Sequence, residues 1–182
     1  MAKNIDKVEN ESYVLSKINS HLLEGLMFHD ELYRLFLFLN LDVFAKEHKK
    51  RYKEESKSYR KLNKYYITHR NSLIEQQAPN SSNRVIPDDW YEKSRFDILP
   101  EEVCNYVSSA LVAWVDWERE TKELYTDAYN KLIEFGFAAE ANYVMSLVKD
   151  VDDELAEAES LLIKLEDVKY DIVEIIEMNR KK

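Results

Sequence analysis

The sequence predicts an all-α chain: a single domain of four long helices, with one long crossover joining the second helix to the third. Three observations carry this. The 182 residues include only two glycines and three prolines, so helix breakers are scarce. The prolines, Pro79, Pro87 and Pro100, fall in one short window, which leaves the rest of the chain free to be helical. Outside that window apolar residues recur at three- and four-residue spacing, the period of a helix with one buried stripe. A chain of this length is ample for one packed core.

The first helix is expected over about residues 9 to 39. Its centre, INSHLLEGLMFHDELYRLFLFL, is apolar nearly all round, as in a helix that is deeply buried or covered at an interface. NLD at 40–42 breaks it, with Asn40 or Asp42 as the cap of the next helix. The second helix runs from about 43 to 76. Lys49, Lys50, Arg51, Lys53, Lys57, Arg60, Lys61 and Lys64 are read as its solvated basic face.

Residues 78–102, APNSSNRVIPDDWYEKSRFDILPEE, hold the prolines and an Asn-Ser cluster, and form the loop. A connection this long needs a reason in a compact domain. A crossover along the length of a bundle, joining two parallel helices, supplies one. The third helix spans about 101 to 135, with acids in its first turn and Gly136 as its C-cap. The fourth begins near Phe137 and reaches about 178. It is either unbroken or bent near Asp167 into a short terminal helix.

Net charge is −9, which argues against nucleic-acid binding through a basic surface. Cys104 is the only cysteine, so neither an internal disulfide nor a cysteine-cluster metal site is available. The longest apolar run, LYRLFLFLNL, is too short to span a bilayer and contains Arg34. No segment reads as a signal peptide, so a cytoplasmic protein is expected.

The polar residues that share the apolar stripes are carboxylates. Glu24 and Glu31 lie a heptad apart in the first helix, in phase with Met27, Phe28, Leu35 and Phe38. Glu55 is in phase with Phe44, Tyr52, Tyr59, Leu62 and Tyr66 in the second. Glu118 follows Leu111, Trp114 and Val115, and Glu154 follows Leu147 and Val151. A lone buried carboxylate takes up a proton. Four at one level suit a cation such as Fe, Mn, Ca or Mg, which prefers oxygen ligands. Surface placement is the plain alternative for any one of them, since Glu is rarely buried unpaired.

INSHLLEGLMF, FAKEHKKRYKEESKSYRKL, WVDWERETKELY and NYVMSLVKDVDDELAE together resemble the four helices of the ferritins, over most of the chain. The resemblance implies a ferritin-like four-helix bundle. It carries the iron-binding glutamates of that family to Glu24, Glu55, Glu118 and Glu154, and an accessory site to Asp150, Asp153 and Glu54. Ser58 stands where the family has a histidine ligand, Val151 where bacterial ferritins often have glutamine, and Glu31 where a tyrosine is usual. Glu31 projects from the same face as Glu24 and is a candidate to fill the space left at Ser58. His21, His29, His48 and His69 form no Glu-x-x-His pair with these glutamates and are read as packed or exposed residues.

Two functions follow. The first is a di-iron or other divalent-metal protein, with manganese as the alternative ion, that stores iron or slowly oxidises Fe(II) and assembles as a homo-oligomer. The second is a non-enzymatic interaction or inhibitor protein on the same scaffold. Its metal site would have decayed to buried glutamates, and the 78–102 loop would be its recognition surface for a protein partner.

Overall fold

The computed structural model describes residues 2–76, 85, 86 and 88–180. The chain is all-helical there, with no strand among the described residues: α1 (Ala2–Phe38), α2 (Asp42–Arg70), α3 (Pro100–Glu134), α4 (Ala138–Asp167) and α5 (Ile172–Arg180). Two 3-10 turns, Asp88–Glu92 and Arg95–Asp97, precede α3. Residues 78–84 of the expected loop, with Pro79, and Pro87 lie outside the described residues.

Three of the helix ends close by the same two-bond motif. After α1, Leu41 N–H reaches Phe36 C=O at 2.8 Å and Asn40 N–H reaches Leu37 C=O at 3.1 Å. Phe137 and Gly136 repeat this on Leu132 and Ile133 after α3, and Tyr170 and Lys169 on Leu165 and Glu166 after α4. The motif needs a left-handed residue. Gly136 (φ 82°) supplies one at no steric cost, whereas Asn40 (58°), Lys169 (52°) and Tyr170 (56°) adopt it with a side chain. The bend near Asp167 is therefore a true break, and α5 is separate.

Two expectations need correction. Asn40 caps the end of α1, and α2 begins after Leu41 with no side-chain cap. Helix α2 stops at Arg70, not near 76. Asn71 turns left-handed (φ 51°) and donates its N–H to Ile67 C=O at 3.1 Å. An asparagine cap ends a helix without the glycine or proline that the reading looked for.

Short links fold α1 against α2 and α3 against α4 as two hairpins. Their mutual orientation is fixed by side chains. Along α1, His21 meets Thr121 and His29 approaches Glu118, so α1 runs antiparallel to α3. Along α2, Tyr65 bonds Glu140, Ser58 accepts from Tyr143, and Arg51 meets Glu154, so α2 runs antiparallel to α4. Helices α2 and α3 are then parallel, and the chain between them must travel the length of the molecule. Its described residues lie along α1. Ser16 donates to Glu75 C=O at 2.7 Å, Glu31 accepts from Val85 and Ile86, Trp90 packs on Phe38, and Arg95 bonds Asn40. That covering explains why α1 is apolar on more than one face.

Two hydrophobic clusters fill the interior. One contains Phe28, Leu35, Phe44, Leu111, Trp114, Leu165 and Ile175. The other contains Leu15, Leu22, Leu62, Tyr125, Leu132 and Val144. Arg51 and Glu55 on α2, Glu118 and Thr121 on α3, and Glu154 on α4 come between them in sequence, as a polar layer. Met27 and Tyr52, expected on inward stripes, are 55% and 40% exposed. No described helix is long and apolar enough to cross a membrane.

Candidate metal centre

Helix α3 presents Glu118, which is 1% exposed. One turn earlier Trp114 donates its indole N–H to Glu118 Oε1 at 2.8 Å. Burial, then the negative charge of Glu154, push the Glu118 carboxyl up to about 8, against the opposing pull of Trp114 and Arg51. Helix α2 presents Glu55, whose carboxylate packs on Gly25 of α1. A Cβ at position 25 would stand 3.2 Å from both Cδ and Oε1 of Glu55 and 3.4 Å from Trp117. Glycine is therefore what lets Glu55 reach the interior. Burial holds the Glu55 carboxyl well above the usual range, reinforced by Glu154, Glu118 and Glu54 and opposed by Arg51. Helix α4 presents Glu154, also raised by burial but held down in part by Arg51.

Glu55, Glu118 and Glu154 are thus brought together from three helices. The other expected residues are placed differently. Glu24 sits beside His21, with Oε2 3.9 Å from Nδ1. Glu31 turns away to the crossover, where its Oε1 accepts from Val85 N–H at 3.0 Å and Ile86 N–H at 2.9 Å. Its side chain holds that connection and does not fill the space at Ser58. Asp150, Asp153 and Glu54 line the groove between α2 and α4. Ser58 lies there too, and its carbonyl accepts from Tyr143 OH at 3.1 Å. The groove has a volume of about 470 Å³ and runs from Lys57 and Lys61 outside to Leu22, Tyr125 and Glu55 within.

Arg51 is the residue that the sequence reading misplaced. It is 6% exposed and does not belong to the basic face of α2. Its guanidinium lies 2.6 Å from Glu154 Oε1 and 2.6 Å from Glu157 Oε2. Phe44, His48, Arg51 and Glu55 recur at intervals of four, three and four, the spacing of one helix face. That spacing was the available signal.

The buried histidines form a second feature. His29 and His48 meet through their Nδ1 atoms at 3.2 Å. His29 Nε2 has no hydrogen-bond partner and stands 3.7 Å from Glu118 Oε1. Burial depresses His29 to about 3 and His21 to about 4, so both are neutral imidazoles at neutral pH. His21 stacks on Trp117 at 4.4 Å and bonds Thr121 Oγ1 at 2.7 Å. His69 is exposed and contacts Tyr65 C=O.

In chemistry the donor set fits a hard or intermediate divalent cation: three carboxylates in a partly desolvated layer, with the buried Tyr125 hydroxyl unpartnered at the groove. In geometry it is not pre-assembled. Among the described residues no group of three or more His, Cys, Asp or Glu side chains is arranged to hold a metal ion. Arg51 and Trp114 engage oxygens of Glu154 and Glu118 that a cation would need. No protein-family model matches this chain, and no curated protein matches it.

Proposed function

We propose that the protein is a ferritin-like four-helix bundle that binds a divalent cation, iron in the first instance and manganese as the alternative, at Glu55, Glu118 and Glu154. The observation that supports this is the convergence of three carboxylates from three helices, with Glu154 raising the proton affinity of both Glu55 and Glu118 and Glu118 that of Glu55, in a layer that the α2–α4 groove opens to solvent. Such an arrangement is costly without compensating positive charge. Glu24 would serve at the rim, and Asp150, Asp153 and Glu54 would draw cations into the groove. A bound metal would supply Lewis acidity and, for iron, one-electron chemistry with dioxygen. The protein's part is to offset its charge, exclude bulk water and position the carboxylates. Iron storage or slow Fe(II) oxidation would follow.

Elemental analysis tests this, before and after anaerobic Fe(II) loading and desalting. A stoichiometric amount of retained metal, lost in Glu55→Ala, supports the reading. No retained metal under either condition overturns it.

The Arg51–Glu154 ion pair favours a second reading, in which Arg51 permanently supplies the positive charge and the polar layer is purely structural. The protein would then act through its surface, with the crossover around the exposed Tyr91 and Phe96 as the contact region for a protein partner. In that case Glu55→Ala would retain or gain thermal stability in chelator, with no metal dependence in either protein.

A further inference from the structure

Arg51 stands between the carboxylate layer and the groove, with its side chain 7% exposed. Four carboxylates surround its guanidinium. Nη1 is 2.6 Å from Glu154 and 3.7 Å from Glu54, Nη2 is 2.6 Å from Glu157, and Nε is 3.2 Å from Glu47. Only Glu154 belongs to the inner layer. Glu157 and Glu54 line the groove, and Glu47 lies one turn back on α2. The guanidinium can therefore release Glu154 and keep charged partners, because a planar fork with five donors serves several acceptors at once. A divalent cation cannot share the same Glu154 oxygen with a guanidinium hydrogen-bonded at 2.6 Å, since the two like charges would be in contact.

Resting on the cation-binding reading, we infer that Arg51 is a built-in competitor for the metal. It occupies Glu154 in the metal-free protein, must move to Glu157 and Glu47 when a divalent cation binds, and so sets the concentration at which the centre fills. The carboxylate layer then never stands without a positive charge. Monovalent ions, which would exchange one charge for one, gain nothing by displacing the guanidinium. A doubly charged ion does.

The test is Mn(II) titration of the chelator-treated, full-length protein, followed by calorimetry and by loss of the free-ion paramagnetic signal. Arg51→Met removes the competitor and keeps side-chain volume. Arg51→Lys keeps the charge but loses the fork. Thermal melts report whether each variant folds. The expected order of affinity is Met, then Lys, then wild type, with Arg51→Met at least tenfold tighter than wild type. Glu157→Gln, which removes the alternative partner, is expected to bind severalfold more weakly. If Arg51→Met unfolds, the Lys and Gln variants carry the test by their opposite shifts. Wild type that binds Mn(II) no more weakly than either Arg51 variant overturns the inference and leaves the cation reading standing. Absence of binding in wild type and all folded variants overturns both.

Discussion

Trp114 donates its indole N–H to Glu118 one helical turn later, at 2.8 Å, inside a layer where Glu118 is 1% exposed. That bond satisfies one carboxyl oxygen, yet burial and Glu154 still hold the group at about 8. Glu118 therefore carries a proton through neutral pH in the metal-free protein, and the protein's stability depends on pH in a way that surface carboxylates would not produce.

The sign follows from linkage. The folded-state value of Glu118 lies above its ordinary 4.5, so its contribution is complete below about 4.5 and is lost as pH rises toward 8. His21 and His29 act oppositely: their values of about 4 and about 3 lie below the ordinary 6.5, so stability falls as pH drops below 6.5. The two trends oppose one another between 4.5 and 6.5. Above 6.5 only the carboxyl trend remains. In chelator, the Glu118 carboxyl alone should lower the unfolding free energy by about 2 kcal/mol from pH 6.5 to 8, and Glu118→Gln should remove that share while the decline due to Glu55 stays. Urea unfolding across this range checks it, and a flat wild-type profile would refute the protonated Glu118.

Gly25→Ala separates stability from site geometry. Alanine favours a helix by about 1 kcal/mol over glycine, while the new Cβ would press on the end of the Glu55 side chain at 3.2 Å. That end is flexible, so the melting temperature should move by only a few degrees. The displaced carboxylate should weaken Mn(II) binding about tenfold, or about 1.4 kcal/mol. Unchanged affinity would mean that Glu55 does not act from this position.

A second ionic group ties the far end of the molecule. Arg70 bonds Glu11 of α1 and Glu140 of α4, and Tyr65 OH donates to Glu140. Glu11 is 1% exposed. Arg70→Met should cost about 2 kcal/mol, because two buried carboxylates lose their cation. Adding Glu11→Gln should recover part of the loss, since one of the stranded charges is then gone. Chemical denaturation of the single and double variants measures this, and strict additivity would contradict the coupling.

Glu31 predicts a local effect. Glu31→Ala removes the acceptor for Val85 and Ile86 N–H, so those two amides should exchange faster while metal content stays unchanged. Hydrogen exchange read by mass spectrometry, with elemental analysis of the same sample, decides both halves. A loss of metal would return Glu31 to the centre.

Helices α3 and α4 were legible in the sequence because their burial is one-sided. Leu111, Trp114, Val115, Glu118, Tyr125 and Leu132 follow a single stripe, as do Leu147, Val151, Glu154, Ala158, Leu161 and Leu165, and all are buried. Helix α1 was less legible because the crossover encloses it. With polar and apolar residues buried on several faces, periodicity no longer identified Glu31 as a crossover contact or Met27 as exposed. Helix α2 was misread at Arg51 because a lysine-rich stretch hides one inward arginine. What buries that arginine is its carboxylate partners on α4, Glu154 and Glu157, a hundred residues later, and no local pattern encodes a pairing at that distance. The Glu55, Glu118, Glu154 set was legible as types and phases. Which of their oxygens were already engaged was not.

The two hairpins have a consequence for the order of folding. Each is contiguous in the chain, so α1 can find α2, and α3 can find α4, through near-neighbour contacts before the halves meet. The seam between the halves is where Arg51 faces Glu154, His29 faces Glu118 and Arg70 faces Glu140. Water must leave all of these groups when the halves close, and their mutual attraction is gained only once closure is complete. Closing the two halves is therefore a desolvation step, met at two levels of the seam, that neither hairpin faces on its own.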